Sequence, residues 1–313
     1  GNFLKMSKKL RQEFADTVLE VGCQDERLVV LIGDIGHFAL QPFAKACPNR
    51  YYNIGICEPS TVNMAAGLSK VGLVPVVHTI APFIVERSLE QIKLDFGYQE
   101  LGVNLVAVGS AFDYGALGCT HHCYGDFAIL KPIENMEIIY PASCNEFNLL
   151  FKQTYDNGNP TYFRIPEAKH EFDFPDSQIK FGKAIVAKEG KDLTIIALGP
   201  HLKTAMNSID TLEESGIDPE VVYLHTIKPL DVEAIRKSVS KTKRCIVIEE
   251  HSMYGGVFDD ITRCCSDLDN IKYSSINLGD KFIHHYGSYS EHCTRLGLTS
   301  ENLAEKAVEL YGI

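Results

Sequence analysis

"YYNIGICEPSTVNMAAGLSKVG", residues 51–72, holds one acidic side chain, Glu58. An apolar, strand-like segment precedes it. Pro59 and a small-residue helical pattern follow, ending near Gly72. The junction places Glu58 at the carboxyl end of a strand, nearly buried, with no Lys or Arg of the stretch placed to pair with it. The plain reading is a carboxylate favouring the positive end of the helix that starts at Pro59. The functional reading is an acid held in a ligand crevice.

Outward from this stretch the chain alternates. Helical spacing runs over 7–22, and "RLVVLIGD" (27–34) reads as a fully buried parallel strand. Strands are predicted at 50–56, 73–80, 103–110, 136–143 and 161–166, with a helix over 83–99 and another in "NEFNLLFKQTYD". The charged, aperiodic segment 167–180, with Pro175, reads as a connection between domains. Beyond it come strands at 192–199, 220–226, 244–250 and 271–279, separated by helices over 201–215, 231–239 and 256–268 and closed by one over 300–312. This pattern predicts an α/β protein of two doubly wound, mainly parallel-sheet domains, 1–170 and 181–313, joined by 171–180. Ligands of such sheets lie beyond the carboxyl ends of strands, where Asp34 and Glu58 both fall.

With 313 residues, 45% hydrophobic and 23% charged, the chain has material for two cores. The net charge of −11 with scattered Lys and Arg argues against nucleic acid. No apolar run reaches the roughly 18–20 residues that span a bilayer. Met6 is a candidate natural start. Ten cysteines without secretory features point to reduced thiols and a cytoplasmic setting. "CTHHC" (119–123) crowds its ligands too closely to wrap one tetrahedral ion, so no metal site is expected in this chain, and "CC" at 264–265 reads as helix interior. Neither a "GxxxxGK[ST]" loop nor a strand-linked "GxGxxG" is present.

Several stretches together resemble the thiamine-diphosphate-dependent transketolase family. They are "RYYNIGICEPSTVNMAAGLSKVGLVPVVHT", "FIVERSLEQIK" and "CTHHCYGDFAILKPIENMEIIYPASCNE", then "LHTIKPLD", "IEEHSMYGGV" and "LGLTSENLAEKA". The likeness covers nearly the whole chain. It is similar in length and wording to the C-terminal subunit of split transketolases, a pyrimidine-binding domain followed by the transketolase C-terminal domain.

The resemblance implies roles residue by residue. Glu58 meets the ring nitrogen of the cofactor's aminopyrimidine. Sharing that proton lets the 4-amino group deprotonate the thiazolium carbon. A carboxylate without a cationic partner suits that exchange. Phe83 stacks on the pyrimidine. Asp34 and Ile35 match a strand end whose apolar side chain props the cofactor in its bent form. His121 bonds donor-sugar oxygens. Arg87 and Arg164 match arginines that grip substrate phosphate, and each also reads plainly as an ion-pair arginine.

There are departures. Leu117 stands where the family carries an Asp that reads a sugar hydroxyl, and leucine accepts no hydrogen bond. Gly109–Ser110 lack a further phosphate contact, and Glu167 replaces a second basic residue. The family's "GDG…N" motif for Mg²⁺ and diphosphate is missing, since "GDIG" (33–36) lacks its third glycine. The resemblance therefore implies an N-terminal partner subunit holding most of the Mg²⁺ site, and a homodimer of this chain within a heterotetramer that acts on sugar substrates. The alternatives are the β subunit of a 2-oxoacid dehydrogenase, a deoxyxylulose-phosphate-synthase-like enzyme, or a silent scaffold.

Overall fold

The computed structural model describes residues 8–313, so the Met6 start lies outside the described residues. One sheet is built from β1 (Leu28–Ile32), β2 (Tyr51–Asn53), β3 (Val74–Ile80), β4 (Val103–Val108), β5 (Glu137–Ile139), β6 (Pro160–Ile165) and β10 (Thr226–Lys228). Its seven strands run in the order β10-β5-β6-β4-β3-β1-β2. The other is built from β7 (Ile185–Lys188), β8 (Leu193–Leu198), β9 (Pro219–Leu224), β11 (Arg244–Ile248) and β12 (Lys272–Ile276). Its five strands run in the order β12-β11-β8-β9-β7. All pairings are parallel except β10 on β5 and β7 on β9. The expected architecture of two mainly parallel α/β sheets holds.

Burial follows from the strand period. Along β1, Val30 and Ile32 enter one apolar cluster while Val29 and Leu31 enter the other, so both faces are covered. Each cluster also takes residues from the second sheet: Tyr223 and Ile195 in one, Leu224 and Ile196 in the other. The two halves share their cores.

Four expectations are corrected. The segment read as one strand over 220–226 splits at His225, and β10 leaves its neighbours to pair antiparallel with β5 of the first sheet. The crossing is held by Tyr140 N donating to His225 O at 2.8 Å and by Lys228 Nζ donating to the carbonyls of Lys131 and Ile133. It covers an edge that would otherwise be open. The helix expected over 83–99 is interrupted: Ala81–Val85 is followed by Leu89–Gln91 and a π-helical stretch, Ile92–Tyr98. Ser88 sits at the break and donates from Oγ to Phe83 O at 3.1 Å. β7 was not expected at all. The adjacent cysteines end the helix Val257–Cys264 rather than filling its interior.

Residues 167–180 have no regular structure beyond a short turn at Asp176–Gln178, yet they are not loose. His170 is fully buried and bonds Glu146, which also accepts from Tyr223 of the second sheet. Among the described residues no helix is long and apolar enough to cross a membrane.

Candidate active site

From β1 the connection to β2 leads to one side, while β3 and β4 lie on the other. In open parallel sheets such a reversal marks the usual position of a ligand crevice, here at the carboxyl ends of β1, β2 and β3. Asp34, Glu58 and Phe83 follow those three strand ends in turn.

The turn after β1 is fixed by its neighbour. Asp34 has φ 60°, and its N–H donates to Asn53 Oδ1 at 3.0 Å while Asn53 Nδ2 donates to Asp34 Oδ1 at 3.1 Å. Asn53 Oδ1 also accepts from Gly55 N. Asn53, which sequence reasoning did not single out, therefore locks the two strand ends together. Asp34 is exposed and Ile35 half-buried.

Glu58 opens the helix Glu58–Lys70 and is 3% exposed. Its Oε2 accepts from Arg87 Nη1 at 2.9 Å, while its buried Oε1 has no hydrogen-bond partner. The expectation of a carboxylate without a cationic partner is corrected. The partner comes from 29 residues further on, because the chain returns through β3 to the same crevice. The Arg87 guanidinium carbon also lies 4.3 Å from the ring centroid of half-buried Phe83. The His121 ring meets Phe83 edge-on, with centroids 5.6 Å apart. Glu58, Phe83, Arg87 and His121 thus form one cluster.

His121 sits in a short turn, Cys119–His121, with Nδ1 3.0 Å from Thr120 Oγ1. The next residue is bound differently. His122 is buried, with Nδ1 2.6 Å from the Tyr124 hydroxyl and Nε2 3.1 Å from Tyr114 O. Burial lowers its pKa below the ordinary imidazole value. Leu117 is 52% exposed in the turn that closes on Tyr114 O.

Arg164 is held inside the protein by an ion pair, the other reading given for it, and its Nη1 has no hydrogen-bond partner. It lies on β6, 1% exposed. Nε donates to Ser110 Oγ at 2.7 Å and Asp126 Oδ2 at 2.9 Å, and Nη2 donates to Asp126 Oδ1 and to Glu250 O. Its guanidinium lies 4.4 Å from the Phe127 ring centroid and 4.8 Å from that of Tyr140. β6 is buried along its whole length, and a charge there must find its counter-ion inside. That was the available signal.

Among the described residues, His201, Glu250 and Cys293 bring possible ligand atoms within 4.8 Å of one another. Two of them are already engaged: His201 Nε2 is 2.7 Å from Glu250 Oε1, which also accepts from Tyr289.

A buried carboxylate with one unpartnered oxygen, linked through Arg87 to the ring of Phe83, fits a planar heteroaromatic ring with a nitrogen to share. Comparison with known proteins identifies the family. The family model for the transketolase pyrimidine-binding domain matches residues 7–171, and that for the transketolase C-terminal domain matches 182–303. The chain belongs to the transketolase family. It is 35% identical over 302 residues to one of the subunits of the apulose-4-phosphate transketolase of Phocaeicola vulgatus, covering 96% of each chain. It is 28% identical over 305 residues to a 6-deoxy-6-sulfo-D-fructose transketolase subunit of Clostridium sp. strain MSTE9, covering 96% of this chain and 94% of that one. A solved structure described as a split gene transketolase, inactive beta4 tetramer, superposes with a TM-score of 0.86 at 28% identity, covering 96% and 98% of the two chains. The chain is thus a subunit of split-transketolase type.

Proposed function

We propose that this chain is the pyrimidine-binding half of a two-subunit enzyme that moves a two-carbon ketol unit from a ketose donor to an aldehyde acceptor, using thiamine diphosphate. The observation that carries the reading is Glu58: buried beyond the strand ends, with one oxygen unpartnered and the other bonded to Arg87, which lies over the Phe83 ring. When bound, the cofactor supplies the carbon nucleophile and the electron sink for the transferred unit. Glu58 holds and returns the proton at the pyrimidine ring nitrogen, as a positioned acid–base group does. Phe83 supplies a stacking surface, and the half-buried Ile35 shapes the crevice beside the Asp34 turn. His121, at the edge of Phe83, donates to substrate oxygens. Mg²⁺ and the diphosphate are held mainly by the partner subunit, since the chain lacks the motif for them.

Two observations support the assembly. Phe38 (82% exposed) and Ile56 (70%) are close in sequence to Asp34 and Glu58, as surface awaiting a partner would be. The neighbour described as a β4 tetramer is also described as inactive. The proposed state is a homodimer flanked by two partner chains, with interfaces above ~2,000 Å². For the substrate, the similar proteins are named for a phosphorylated and a sulfonated sugar. An anionic end near Arg87 and no hydroxyl contact at Leu117 fit that class.

The test is Glu58→Gln in the chain co-expressed with its partner. The fold should be unchanged by circular dichroism, while deuterium exchange at the cofactor's reactive carbon slows by roughly 10²–10⁴. Normal exchange and normal two-carbon transfer would refute the reading.

A further inference from the structure

Arg87 contacts the two residues that the proposed cofactor ring would contact. Its guanidinium is planar, stacks on Phe83 at 4.3 Å and donates an N–H to Glu58 at 2.9 Å. An aminopyrimidine bound as proposed would stack on the same residue and bond the same carboxylate. Both groups are flat, delocalised N–C–N units with N–H donors in the plane. The guanidinium is therefore an internal likeness of the ligand. It is also displaceable: the Arg87 side chain is 46% exposed, against 4% for Glu58. It follows the short helix Ala81–Val85 and directly precedes the break at Ser88.

We propose that Arg87 is a displaceable occupant of the pyrimidine site, which holds Glu58 and Phe83 in place until the cofactor enters and then turns to the anionic end of the sugar. The proposal rests on the reading of the site given above. It links the two binding events. Cofactor entry breaks the Arg87–Glu58 hydrogen bond and frees the guanidinium, so anion recognition becomes available only in the loaded site.

The experiment uses the chain assembled with its partner subunit, with thiamine diphosphate and saturating Mg²⁺ titrated by calorimetry. Arg87→Met keeps much of the length of the side chain and removes the competing cation. It should tighten cofactor binding about three- to thirty-fold, the range expected from one half-exposed ion pair and one cation–π contact. The KM for the anionic sugar should rise at the same time. Arg87→Lys, which keeps the charge and loses the planar stack, should fall between the two, and it serves if Arg87→Met does not assemble. In a Glu58→Gln background the effect of Arg87→Met on cofactor affinity should shrink, because the shared carboxylate is altered. Equal affinities in wild type and Arg87→Met, with binding intact, would overturn the occupant proposal and leave the function standing. Weaker binding in Arg87→Met would overturn it too, making Arg87 a helper of the cofactor. No binding in either protein would overturn the functional reading itself.

Discussion

Replacing Arg164 with Met separates a structural from a substrate role. Arg164 and Asp126 are both buried, at 1% and 0% exposure, and two hydrogen bonds join them. Asp126 also accepts from Ser110 Oγ at 2.5 Å and from the Tyr162 hydroxyl at 2.7 Å. Burial alone would raise the Asp126 pKa, but Arg164 first, then His251, Ser110 and Tyr162, hold it below the ordinary carboxylate value. Without the guanidinium the carboxylate is left in a dry site with only two hydroxyls and the Phe127 N–H as donors. Breaking one half of a buried pair in this way costs about 3–5 kcal/mol. Against a typical total of about 5–15 kcal/mol, that is a large fraction of the stability. At roughly 2 °C per kcal/mol, the melting midpoint should fall by roughly 6–10 °C. Asp126→Asn combined with Arg164→Met should recover part of the loss, because no buried charge then stands alone. Urea and thermal unfolding followed by circular dichroism measure this. If Arg164→Met unfolds within about 1 kcal/mol of wild type and only raises the KM for the sugar, the structural assignment is wrong. The pH dependence has a matching sign. The Asp126 contribution is present above its unfolded pKa and is lost as pH falls through the lower folded value.

Two further outcomes test the surroundings of the crevice. His78 is fully buried, with Nδ1 2.8 Å from Val106 O, and burial lowers its pKa to about 4 from 6.5. The unfolded chain binds the extra proton between those values, so stability should rise from pH 4 to 6.5 by about 3 kcal/mol. His78→Leu should flatten that part of the wild-type profile, and an unchanged slope in urea titrations would refute it. Gly36 has φ 78°, and an added Cβ would lie 2.8 Å from the His78 ring. Gly36→Ala should therefore lose about 1–3 kcal/mol and weaken cofactor binding through the Asp34–Ile35 turn, which denaturation and calorimetry would show.

Much of the fold is legible in local pattern. The all-apolar run of β1, the helical spacing after Pro59 and the repeated strand–helix alternation specify parallel sheets covered on both faces. Those sheets in turn place Asp34 and Glu58 at strand ends. Burial of Glu58 was expected from the sequence, but the strand before it is a largely exposed edge, so the burial comes from the tertiary packing around the helix start. Which charge meets which was decided only by tertiary structure. Arg87 reaches Glu58 because β3 returns beside β1, which depends on strand order rather than on any spacing along the chain. Arg164 turns inward to Asp126 because β6 lies in the interior of the sheet, between β5 and β4. A motif shared with substrate-gripping arginines does not carry that information. β10 crosses to the first sheet because the open edge at β5 needs hydrogen-bond partners, a demand that no pattern within residues 220–228 expresses. Periodicity records how each segment is buried. Ion pairing and edge pairing are set by segments far apart in sequence that only the folded chain makes neighbours.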